Sequence, residues 1–292
     1  MVGSALVRSL QKDHELIEVN SKIVDLTDRK ATFAFLRKTE PEVVLDAAAK
    51  VGGILANSSY PVDFLSKNLQ IQTNLFDASH AVDVRKLIFL GSSCIYPSDR
   101  VDPIHESELM MGRLEETNEA YAVAKIAGLA AVRSYRKQYN REWISLMPTN
   151  LYGPADNFDP ISSHVLPALI RKFHDAKISE LQKVTLWGTG RPKRELLHVD
   201  DLASATVHLL ENYNEDQHIN IGTGIDISIS ELAEEVRGII GYQGEISWDT
   251  SKPDGTYRKV LDVSKLKQTG WKPAHTLTSG IEDTYNWYLD HC

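Results

Sequence analysis

Cysteine is almost missing from this chain: Cys94 and Cys292 are the only two in 292 residues. Two thiols so far apart make neither a disulfide framework nor a metal-ligand spacing. Basic runs are also missing, and acidic residues outnumber basic ones 40 to 32, for a formal charge of −8. A phosphate backbone attracts the opposite sign, which excludes nucleic acid as a partner. No apolar stretch approaches the ~20 residues that span a bilayer. Met1-Val-Gly-Ser-Ala-Leu6 lacks the charged and long apolar parts of a secretory signal. Repeats and low-complexity tracts are absent too. These absences predict a soluble, cytoplasmic protein with no membrane association and no bound metal.

What is present is an alternation of short apolar runs with helical patterns. Glu15–Val19, Glu42–Ala47, Lys86–Leu90 and Trp143–Met147 read as strands, with helices expected over 28–38, 61–82 and 118–139. Such alternation predicts βαβ units and an α/β fold: a Rossmann-type doubly wound, mostly parallel sheet. After Pro148 the texture changes. Tyr152–Pro160 is a loop by its Gly, Pro and Asn content, then helices follow over 164–177 and from Asp200 and Ser230. The division expected is a dinucleotide-binding domain over 1–150 and a smaller mixed α/β lobe over 151–292, with some segments returning to the first.

Chemistry is signalled most strongly by Tyr121 and Lys125, four residues apart in an Ala-rich helical segment. That spacing puts phenol and ammonium on one face, where the ammonium favours the phenolate and is expected to lower the tyrosine pKa. Helices also carry such pairs simply for solvation. What turns the balance is the apolar strand upstream, which ends in Gly91-Ser-Ser-Cys-Ile-Tyr-Pro97. A buried strand delivering two hydroxyls and a thiol at its C-terminal end, followed by Tyr-x-x-x-Lys, resembles the layout of a nicotinamide-dependent short-chain dehydrogenase. Successive residues at a strand end point opposite ways, so Ser93 is expected to be the non-catalytic neighbour of Ser92. No acid stands at Asn20-Ser-Lys22, where NAD-specific folds hold the ribose 2′-hydroxyl; Lys22 could meet a 2′-phosphate, favouring NADP. A dinucleotide fold opens with a strand and a glycine-rich turn, whereas Met1–Val7 reads as the end of that turn entering the first helix, Gly3 its last glycine. The opening strand is therefore expected to be missing, through truncation or as a natural variant with weakened cofactor binding. A poorly soluble chain, or one that binds NADPH weakly, is the expected consequence.

Further motifs follow in order: Ala47–Ile54, Leu90–Pro97, Pro148–Pro154, Asp156–Phe158, Ser163-His-Val165, Leu197–Asp201 and Ser251–Gly255. Together they closely resemble the GDP-L-fucose synthase family of extended short-chain dehydrogenases, over essentially the whole chain. The resemblance implies epimerisation of GDP-4-keto-6-deoxy-D-mannose at C3 and C5, then NADPH-dependent reduction at C4. By the same resemblance Cys94 is the base and His164 the acid. Tyr121 and Ser92 bind the C4 oxygen, and Lys125 binds the nicotinamide ribose. It implies cofactor contacts from Asp25 and Leu26 at the adenine and from Ala48, Ala49 and Gly52 in a covering loop. Leu90, Gly91, Ser93 and His164 would join them, with Pro148, Thr149, Asn150 and Leu151 at the nicotinamide. Lys172, Trp187, Arg194, Asp254 and Lys259 are implied to bind the GDP-sugar, and a homodimer through 61–82 and 118–139 is expected. Two alternatives stay open: a sugar-nucleotide dehydratase or 4-epimerase of the same fold, and a non-catalytic nucleotide-sugar binding module.

Overall fold

The computed structural model describes residues 1–160, 162–252 and 254–292. Its elements in chain order are α1 (Val2–Leu10), α2 (Arg29–Thr39), β1 (Val43–Asp46), α3 (Ile54–Ser59), α4 (Pro61–Ala81), β2 (Lys86–Leu90) and α5 (Glu119–Tyr139). Then come β3 (Ile144–Pro148), β4 (Asn150–Tyr152), α6 (Val165–Ile178), β5 (Lys183–Trp187), β6 (Lys193–His198), α7 (Val199–Asn212), β7 (Ile219–Ile221) and β8 (Asp226–Ser228). The chain closes with α8 (Ile229–Ile240), β9 (Glu245–Asp249), β10 (Arg258–Lys259), α9 (Ser264–Gln268) and α10 (Leu277–His291).

The main sheet runs β1-β2-β3-β7, every pair parallel. Helices on its faces bury both sides, so β2 and β3 are buried at every position. Lys86 joins that run because its ammonium donates to Leu210 O at 2.6 Å and Tyr213 O at 2.8 Å. Helix ends follow the local sequence: Asp28 accepts from the N–H groups of Lys30 and Ala31, and Ser228 forms a capping box with Glu231. A second sheet runs β10-β6-β4 with β8 antiparallel to β6, and β5 pairs with β9. Two hydrophobic clusters result. One surrounds the parallel sheet, reaching from Ala5 to Met147 and taking in Leu197–Ile221 and Leu261–Trp271. The other packs α6, β5, α8 and α10 around Phe173, Leu186, Val236 and Tyr288. Among the described residues no helix is long and apolar enough to cross a membrane.

The Glu15–Val19 strand predicted above does not form. That segment has no β-ladder partner, and Ile17 and Val19 are 49% and 42% exposed. An alternating pattern becomes a strand only beside another edge, and the edge nearest in the fold, β1, pairs only with β2 among the described residues. Between β1 and this segment lies a groove of about 1530 Å³, floored by Leu6 and Leu10 of α1 and Leu36 of α2. Its lining is mixed, with Glu18, Asp25, Glu40 and Asp46 beside the apolar side chains, and one flank is the β1 edge.

Candidate active site

The site is built where β2 stops. Gly91 follows the strand at a point where a Cβ would lie 2.4 Å from Met147 Cε and Sδ, so a larger residue would force the buried Met147 side chain to move. Ser92 is extended (φ −163°, ψ 150°), and its hydroxyl accepts from Cys94 N at 3.2 Å, closing a 3₁₀ turn over Ser93–Ile95. Cys94 is left half-buried and unpaired as a free thiol, while Ser93 points into the core at 2% exposure. Ser92 is half-buried and Ser93 buried, so the two serines differ in exposure as residues facing opposite ways do.

Behind that turn is a buried polar brace that the motifs alone do not reveal. Arg133 can only donate, so its Nη2 contact at 3.0 Å makes His218 Nδ1 an acceptor. His218 Nε2 then carries the proton and donates to the Tyr96 oxygen at 2.9 Å, and the Tyr96 hydroxyl donates to Asn220 Oδ1 at 2.5 Å. Burial, then the Arg133 and Lys265 charges, push the His218 imidazole down to about 3, keeping it neutral.

α5 brings the phenol and the ammonium. Ala122, Ala124 and Gly128 let it approach the sheet closely: a Cβ on Gly128 would meet the Phe89 ring at 2.5 Å. Lys125, 2% exposed, donates to Leu90 O at 2.8 Å and stands 4.8 Å from the Phe89 ring centroid. Burial pulls its pKa down to about 8, opposed by the charges of Asp46 and Cys94. Tyr121 lies edge-on to Phe64, with the Ser92 side chain within hydrogen-bonding reach. The lowered phenol pKa expected from the Tyr121–Lys125 spacing is not found. Burial, and then negative charge at Cys94, push the phenol above the ordinary tyrosine range, and the Ser92 contact offsets only part. Lys125 directs its charge at Leu90 O instead, so Tyr121 is a protonated donor at neutral pH.

His164 is the N-cap of α6, and desolvation lowers its pKa. It approaches the others indirectly: the Ser163 carbonyl lies 3.3 Å from where a Gly53 Cβ would be, and Gly52 packs on Phe64, which touches Tyr121. Ser92, Cys94, Tyr121 and Lys125 thus gather at one strand end, whereas His164 is exposed and makes no direct contact with them.

Five of the expected cofactor residues, Gly3, Asp25, Leu26, Ala48 and Ala49, line the groove, and the others lie elsewhere. Asp25 accepts from Thr27 N at 2.9 Å and Oγ1 at 2.7 Å, and Leu26 O accepts from Asn74. Gly3 lies in the first turn of α1, exposed, where an added Cβ would meet nothing. Lys22 is exposed, its N–H donating to Asn20 Oδ1 at 2.9 Å. Pro148 ends β3, Thr149 N donates to Ile221 O, Asn150 Nδ2 donates to Glu195 O at 2.8 Å, and Leu151 is half-buried in β4.

Of the expected substrate residues, Arg194 and Lys259 stand directly opposite one another on parallel β6 and β10, placing two cations on one face. Arg194 donates to Thr256 O at 2.6 Å. Trp187 is 68% exposed, with Lys252 Nζ 5.5 Å from its ring centroid. Lys172 is exposed and donates to Thr185 O at 3.2 Å. Asp254 is engaged with the Gly188 turn, accepting from Thr189 N at 2.8 Å and Oγ1 at 2.6 Å.

With this geometry in hand, residues 1–222 match the NAD dependent epimerase/dehydratase family. The chain belongs to that family. It is 52% identical to GDP-L-fucose synthase 1 of Arabidopsis thaliana, covering 99% of this chain and 90% of that protein. Against the GDP-L-fucose synthase of Escherichia coli the identity is 48%, covering 100% and 94%. A GDP-mannoheptose C4 reductase from Campylobacter jejuni with NADP bound superposes with TM-score 0.91 at 37% identity, over 99% of this chain and 95% of that one.

The brace behind the Ser93–Ile95 turn yields a test. Tyr96→Phe removes the acceptor of His218 and the donor to Asn220, and is expected to cost about 1–3 kcal/mol. Urea unfolding that shows no loss would contradict the anchoring role.

Proposed function

We propose that the chain converts GDP-4-keto-6-deoxy-D-mannose to GDP-L-fucose, epimerising C3 and C5 and then reducing C4. The observation that carries this is the convergence of thiol, phenol, hydroxyl and ammonium at the C-terminal end of β2. The likeness to GDP-L-fucose synthases along nearly the whole chain supports the substrate class.

Protons on carbons beside a ketone are acidic because the enolate spreads its charge onto oxygen. Cys94 removes the C3 and C5 protons on one face, and His164 returns protons on the other. The Tyr121 phenol, kept protonated by burial, and the Ser92 hydroxyl donate to the C4 oxygen as negative charge develops there. The same phenol then supplies the proton that completes the alcohol. NADPH, when bound, supplies the hydride to C4. Gly3, Lys22, Asp25, Leu26, Ala48, Ala49, Gly52, Gly91 and Lys125 are the residues we assign to holding it. The paired Arg194 and Lys259 suit the diphosphate of GDP, and exposed Trp187 offers a face for the base.

In this reading residues 1–150 hold the cofactor and 151–292 the substrate, with Leu197–Ile221 and Leu261–Trp271 returning to the first domain, a division the two hydrophobic clusters support. The protein works in the cytoplasm as a homodimer, joined through the 21-residue helices α4 and α5.

Product analysis with the keto-sugar and NADPH tests the reading: a fucose configuration with stoichiometric NADPH oxidation is expected. Recovery of a dehydrated or merely 4-epimerised sugar would exclude it. Cys94→Ser is expected to abolish epimerisation while leaving some direct C4 reduction, and normal epimerisation would unseat the thiol as base. Tyr121→Phe is expected to lower kcat for reduction by about 10²–10⁴-fold, measured by stopped-flow loss of NADPH absorbance.

A further inference from the structure

The last residue of β1 is a carboxylate in an otherwise apolar strand, and the reaction described above does not use it. Asp46 is 2% exposed. Its Oδ1 accepts from Ala48 N at 3.1 Å, while its buried Oδ2 has no hydrogen-bond partner. In the sheet register Asp46 stands directly opposite Phe89. Lys125 Nζ lies over that same Phe89 ring at 4.8 Å and is bonded to the next carbonyl, Leu90 O. A buried carboxylate and a buried ammonium therefore flank one residue of β2.

We propose that Asp46 is the counter-ion that keeps the buried Lys125 ammonium charged, making it a positioning residue for the reaction. An ammonium taken out of water loses its hydration and tends to shed its proton unless a negative charge is near. Two charges act this way on Lys125: Asp46 first, and Cys94 second. Cys94 is the group that must change charge as a base, whereas Asp46, once ionised above about 6, keeps its charge through the reaction. Tyr121 is the other titratable group facing the cluster. Stability does not account for the carboxylate. Burial, opposed by Lys125 and the Ala48 N–H, pushes Asp46 up to about 6. A folded pKa above the unfolded one means stability is lost as pH rises through about 4 to 6. Asp46 ionised is thus a cost to the fold, spent on holding a cation bonded to Leu90 O and beside the Tyr121 ring.

The inference rests on Lys125 being the cationic member of the proposed site, and its test separates the two. The Lys125 ¹³Cε resonance is titrated in the protein without added nucleotide, for wild type, Asp46→Asn and Asp46→Glu. Expected in wild type is a midpoint near about 8 with a second inflection near about 6 as Asp46 ionises. Asp46→Asn should lower the midpoint by about one unit or more, and Asp46→Glu should restore most of it. The basic limb of the kcat profile should move the same way. An unchanged midpoint in Asp46→Asn overturns the proposal. If that variant does not fold, a wild-type titration lacking the inflection near about 6 overturns it alone. Should the titrations behave as expected while wild type fails to turn over keto-sugar with NADPH, the counter-ion stands and the proposed function falls.

Discussion

The active end of this molecule depends on one contact, the hydrogen bond from Lys125 Nζ to Leu90 O at 2.8 Å. It joins the helix carrying the phenol to the strand carrying the thiol, and it does so in the core, where a charged donor is strong. The contact exists only because Ala122, Ala124 and Gly128 let α5 come down onto Phe89. A side chain at Gly128 would meet the Phe89 ring and push the helix off the sheet. Everything proposed for the chemistry assumes that these two elements stay docked.

Around that contact the protein arranges groups by opposite means. The turn bearing Ser92 and Cys94 is clamped from behind by Tyr96, whose bonds run to His218 and Asn220 in the core. Lys125 is instead exposed to a field, balanced between burial that would discharge it and Asp46 that holds it charged. Tyr121 is left as a phenol by burial, a donor ready for an oxygen that becomes negative. Rigid backbone on one side and a tuned charge on the other together give a surface complementary to an enolate.

Much of this was legible in the residues. Lys86–Leu90 is a continuous apolar run, and a strand buried on both faces leaves no other reading. Tyr121 and Lys125 declare themselves through a spacing that maps onto one helix face. The strand at Glu15–Val19 failed because pattern records which face is apolar but not whether an edge lies alongside to complete the ladder. The phenol pKa failed for a related reason: a spacing reveals which charges are near, not how much water has been removed. His164 carries no local signal at all, since a histidine before an apolar helix is most simply a cap. Asp46 did carry one, a carboxylate closing the run Val43-Val-Leu, and its meaning emerged only once Phe89 and Lys125 were beside it.

The central claim is that a single site at the end of β2 both exchanges the protons at C3 and C5 and completes the reduction at C4. Running the reaction in D₂O and locating the label in the product by NMR tests it most directly. The account predicts solvent deuterium at C3 and C5 and none bound to carbon at C4, which receives its hydrogen from the dinucleotide. A reduced product carrying solvent deuterium at neither C3 nor C5 would contradict it.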